Sequence, residues 1–73
     1  MKLFDLLKVV DGGELVAVMD KAGSSGNVLA TGHGEAFTSR EYGDPSLLGK
    51  EVVSVFVAVV EPYGLPGLNV IVK

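Results

Sequence analysis

The tetrapeptide Gly32-His33-Gly34-Glu35 gathers the chain's only histidine, a carboxylate and two glycines. An imidazole beside a carboxylate can move a proton, and glycine-flanked amides can receive an anion. Further on, Arg40-Glu41-Tyr42 supplies a guanidinium fork for phosphate or carboxylate, an acid, and an aromatic face that can stack on a planar ligand. Tyr63, in a Pro/Gly-rich stretch, is a second stacking candidate. Gly32, His33, Gly34, Arg40, Tyr42 and Tyr63 are therefore the candidate ligand contacts. A plainer reading stands ahead of the functional one at each place taken alone. It makes the tetrapeptide a bulged strand with an exposed histidine, the triplet a solvated loop, and Tyr63 a loop-packing residue.

The motifs that would sharpen these candidates are missing. The glycines match neither the phosphate loop with its Lys-Ser/Thr ending nor the dinucleotide fingerprint, which requires a following helix. No serine sits in a nucleophile elbow, and no carboxylate pair has a spacing that suggests glycoside chemistry. With no cysteine and one histidine, neither a disulfide framework nor a cysteine-zinc site is available. We expect no enzyme, no metal and no cofactor.

These residues hang on elements that the hydrophobic pattern lays out. Lys2–Val10 predicts a short amphipathic helix, with Leu3, Leu6, Leu7 and Val10 at helical spacing, Phe4 and Val9 widening the stripe, and Asp11-Gly12-Gly13 ending it. Glu14–Asp20 predicts a strand, Lys21–Gly26 a turn, and Asn27–Phe37 a returning strand whose two glycines mark a bulge or the close approach of another backbone or a ligand. Within the polar stretch Thr38–Lys50, Asp44-Pro45-Ser46 signals a turn and Pro45–Leu48 a single helical turn. Glu51–Val60, EVVSVFVAVV, follows as the longest strand, then a hairpin loop over Pro62–Gly67 and a last strand over Leu68–Val72.

Val53, Val55, Val57 and Val59 line one side of the long strand, and the other side is also mostly apolar. Two apolar sides place it at the sheet centre in this reading, with both faces covered. The expected architecture is one α+β domain over residues 1–73: the N-terminal helix packs on a four-stranded, mainly antiparallel sheet of two hairpins. Only one helix of useful length is in view, so the second sheet face is expected to be an oligomer interface, with Val53, Val55, Val57 and Val59 in that interface or in the core. On this reading Val55→Asp prevents folding.

Composition agrees. A chain of 73 residues buries only about 60% of its unfolded surface. Its apolar content of 48% and mean hydropathy of +0.44 are high for so small a soluble domain, and association would absorb the excess. The net charge is −3, with six scattered basic residues, so nucleic acid is not expected as a partner. No apolar run approaches the ~20 residues that span a bilayer, and Asp5 interrupts an opening too short for a secretory signal. We expect a cytoplasmic protein without membrane contact.

Leu3-Phe4-Asp5-Leu6-Leu7-Lys8-Val9-Val10-Asp11, Glu51-Val52-Val53-Ser54-Val55 and Leu68-Asn69-Val70-Ile71-Val72 resemble a group of short uncharacterised bacterial and phage (mobile-element) proteins, with a Leu-x-Asp-Leu-Leu-type N-terminal helix followed by Val-rich hairpins. The resemblance covers most of the chain through core patterns and carries over no functional residue. It implies a phage setting, in which small proteins often counter host defence by binding. The function expected is therefore that of a small, homo-oligomeric, non-enzymatic binding protein, an anti-defence inhibitor that sequesters a nucleotide-derived signal. The alternatives are a protein-protein interaction module that docks on a host protein, and a structural subunit of a larger assembly.

Overall fold

The computed structural model describes residues 1–21, 26–38, 45–61 and 63–73. Their order is α1 (Leu3–Leu7), β1 (Leu15–Met19), β2 (Val28–His33), α2 (Gly34–Thr38), α3 (Pro45–Leu48), β3 (Val52–Val60) and β4 (Leu65–Val72). The α+β architecture with four strands and two antiparallel hairpins is as expected. So is the single turn at Pro45–Leu48.

The helix at the start is shorter than Lys2–Val10. Its first turn is held by the Asp5 carboxylate, which accepts the Lys2 backbone N–H at 3.2 Å. After Leu7 the turn tightens, with Val9 N–H donating to the Leu6 carbonyl. Leu3 and Leu7 are buried, whereas Phe4 and Val9 are exposed, and Lys8 Nζ lies 4.6 Å from the centre of the Phe4 ring. So short a helix depends on packing for its stability. Leu3, Leu7, Phe37 and Leu47 from the helical segments supply it, closing over Val16, Val18, Val70 and Val72 of the sheet.

The returning strand does not run to Phe37. It ends at His33 because the chain bends there: Gly34 N–H donates to the Glu14 carbonyl at 2.8 Å and Glu35 N–H to the Gly12 carbonyl at 3.1 Å. A Cβ on Gly34 would stand 3.3 Å from the Asp11 carbonyl oxygen, so this glycine admits a neighbouring backbone. The bend starts α2 and turns Phe37 into the core.

The sheet order is β2-β1-β4-β3, which corrects the placement of the long strand. β3 stands at the edge, and β4 lies between it and β1. The centre is a parallel pairing of β1 with β4, from Val16 opposite Leu68 to Met19 opposite Ile71. The two-sided apolar pattern of β3 predicts burial, yet Val53, Val55, Val57 and Val59 are 57, 41, 71 and 55% exposed. They are not core within this chain. β4 also begins earlier than Leu68, at Leu65, with Pro66 paired to Val59 of β3 and to nothing on the β1 side. A proline fits there because no ladder bond needs its missing N–H.

The second sheet face is also less open than expected. Leu15, Ala17, Asn69 and Ile71 at its centre are buried within the chain. Leu15 and Ala17 meet Val60 across β4, in the space left by Gly67, which has no side chain.

Candidate functional site

Two features of the folded chain can engage a partner. One is built from the predicted ligand contacts. Register places His33 at the end of β2, opposite Leu15, and the β3–β4 hairpin carries Tyr63 to it. The two rings meet edge to face, with centroids 6.1 Å apart and planes at 73°. Both side chains are exposed, so a planar or apolar group can reach the pair.

Gly32 lies buried beside them in the β1–β2 ladder, opposite Val16. Gly34 belongs elsewhere, at the start of α2 against Asp11 and Gly12. The Gly34 and Glu35 amides already donate to Glu14 and Gly12, so they are spent on the bend and do not form an anion cradle. Arg40 and Tyr42 fall outside the described residues. Among the described residues no group of three or more His, Cys, Asp or Glu side chains is placed to hold a metal ion.

The other feature is the outer edge of β3. Pairing fixes which way its main chain points. Asn69 Nδ2 donates to the Ala58 carbonyl at 3.1 Å, so that carbonyl turns toward β4. The proline opposite Val59 has no N–H to give, so that pair is not hydrogen-bonded across the hairpin. Both observations have one consequence under strand alternation: the N–H and C=O groups of Val55, Val57 and Val59 face away from β4. Their side chains lie on the helix-bearing face with Leu68 and Val70, while Phe56 lies on the second face with Asn69.

The start of this edge is closed. Leu3 N–H donates to the Lys50 carbonyl and Val52 N–H to the Met1 carbonyl, while Lys2 Nζ pairs with Glu51 Oε1 at 2.9 Å. The Lys2 ammonium and the N-terminal amine hold the Glu51 carboxyl below its ordinary pKa, as hydrogen bonds from Asn27 do for Asp20. From Val53 to Val59 no other main chain among the described residues covers the outer edge.

Natural edges are usually blunted by charge, proline or bulges. Here one irregularity, between Val52 and Ser54, is the single such device, and the strand runs regular and uncharged from Val55 to Val60. The sequence marked these valines as interface or core. What it did not mark is that they form an edge, since that depends on where β4 inserts. No helix among the described residues is long and apolar enough to cross a membrane. No family model matches the chain, and no curated protein or solved structure matches it either.

Proposed function

We propose that this is a small, non-enzymatic binding protein that works by strand addition, pairing the outer edge of β3 with an extended segment of another polypeptide. The observation that carries this is the nine-residue apolar strand left at the sheet edge with Val53, Val55, Val57 and Val59 exposed. Main-chain groups along such an edge supply affinity, and side chains on its two faces select the partner. The task is inhibitory, in the anti-defence setting that the resemblance to phage proteins implies.

Val57→Pro isolates the edge, because it removes an outward N–H and no bond to β4. On an array of extended nonapeptides that includes the β3 sequence itself, wild type binds alternating apolar peptides. Val57→Pro, with an unchanged circular dichroism spectrum, binds them at least tenfold more weakly. Wild type that binds none of them, or a variant that binds equally well, overturns the proposal.

The edge-to-face contact of His33 with Tyr63 favours a second reading, in which a nucleotide-like ligand stacks on that pair. A panel of cyclic dinucleotides and cyclic ADP-ribose isomers then raises the melting temperature of wild type and not of His33→Ala/Tyr63→Ala. A panel without any shift ends this reading.

A further inference from the structure

The β3 strand reads almost the same in both directions. In VVSVFVAVV, Phe56 is flanked by Val55 and Val57, then by the small residues Ser54 and Ala58, then by Val53 and Val59. An antiparallel pair of identical strands related by a two-fold axis places residue 56 opposite 56, 55 opposite 57, 54 opposite 58 and 53 opposite 59. Only a nearly palindromic strand matches size to size under that operation. We infer that the occupant of the β3 edge is β3 of a second copy of this chain, paired antiparallel about Phe56, so that two four-stranded sheets join into one. The inference rests on reading β3 as a strand-addition edge and names its partner.

The geometry of the edge agrees with this register. Val55 and Val57 turn their N–H and C=O groups outward, so Val55 of one copy and Val57 of the other form hydrogen-bonded pairs on both sides of the axis. Phe56 turns its main chain toward β4, so the two Phe56 residues form a non-hydrogen-bonded pair, in which side chains approach most closely. Its ring is half-exposed on the second face, between Ser54 and Ala58, which are small enough to leave room for a second ring.

The charges also agree. No charged residue lies between Glu51 and Glu61, so nothing repels along the contact. Met1–Leu3 already cover the edge at Lys50–Val52 and the bulge at Val53 follows, which limits regular pairing to Ser54–Ala58. Beyond Val59 the chain of the second copy turns away into its own hairpin, and the register brings its exposed Glu61 toward Glu51, whose carboxylate is already paired with Lys2 and the N-terminal amine. The other sheet edge, VLATGH in β2, has no such symmetry and carries Thr31 and His33. A closed two-fold pair is therefore favoured over open-ended stacking.

The chain has no cysteine, so Phe56→Cys introduces a single thiol. Under mild oxidation Phe56→Cys cross-links into a covalent dimer, while Val55→Cys, which faces Val57 and not itself, cross-links at least tenfold more slowly. Light scattering after gel filtration gives a dimer for wild type and a monomer with unchanged circular dichroism for Val57→Pro. Hydrogen exchange needs no substitution: the Val55 and Val57 amides exchange slowly in concentrated wild type and quickly on dilution.

Wild type that is monomeric at every concentration, a dimer indifferent to Val57→Pro, an open-ended polymer, or Val55→Cys cross-linking as fast as Phe56→Cys overturns the inference. A monomer that still binds extended peptides in a Val57-dependent way overturns self-pairing and leaves strand addition standing. A monomer that binds none of them overturns both.

Discussion

Gly67→Ala destabilises the domain by about 3 kcal/mol or more, at the upper end of what overpacking costs. A Cβ at this position would stand 2.6 Å from the Leu15 carbonyl oxygen, 2.8 Å from Leu15 Cβ and 2.9 Å from Val60 Cγ2. The first of these atoms belongs to the main chain of β1, at the sheet centre, and cannot swing away as a side chain would. Relief requires β4 to move off β1, which strains the parallel ladder that begins at Val16 and Leu68. It also separates Leu15 from Val60, the two residues that close the second face above Gly67. A domain of this size holds roughly 4–11 kcal/mol in all, so the loss is a large share. Urea denaturation of the two proteins measures it. An unchanged midpoint would mean that β4 lies farther from Leu15 than the structure has it.

The second large effect is a contrast between two aspartates. Val70→Asp leaves no folded protein, while Val55→Asp folds with a stability within about 1 kcal/mol of wild type. Val70 is fully buried, paired with Val18 on one side and Val55 on the other, beneath the helical segments. A carboxylate there has no partner, and its desolvation costs several kcal/mol, comparable to the whole stability of the domain. Val55 faces the same way one strand farther out, beyond the cover of the helices, and water solvates its replacement. Circular dichroism and gel filtration of both variants decide the point. Unfolding of Val55→Asp would return β3 to the centre of the sheet, where the sequence reading puts it.

That contrast shows how much of the fold was legible and why the rest was not. Alternation and glycine placement located β1, both hairpins and the Pro45–Leu48 turn, because each is a local pattern. Two-sided apolarity at β3 is ambiguous by nature. It marks a strand that avoids water on both faces, and a strand at the sheet centre and a strand awaiting a partner satisfy it equally. The parallel pairing of β1 with β4 settles which applies, and it joins residues about fifty positions apart with no local trace.

The five-residue α2 was missed because it is too short to show a period, and because the glycines before it read as strand bulges. Phe37 was the available signal, an aromatic at the end of a segment that a strand would have carried past the core. At the candidate ligand site the residue types were legible and their grouping was not. His33 and Tyr63 stand together only through hairpin geometry, while Gly34, the residue immediately after His33, faces the α1–β1 connection instead.

The parallel centre also bears on the order in which the sheet assembles. β4 is the last strand in the order and the one into which both β1 and β3 lock. Before β4 docks, the β1–β2 hairpin and β3 have no central strand to join them, and an isolated two-stranded hairpin is marginal in water. The sheet closes only when residues 65–72 insert between β1 and β3. Until that moment the Val-rich segment of every unfolded copy is open on both edges, and a strand with near-palindromic order can meet its own kind before it meets its hairpin partner.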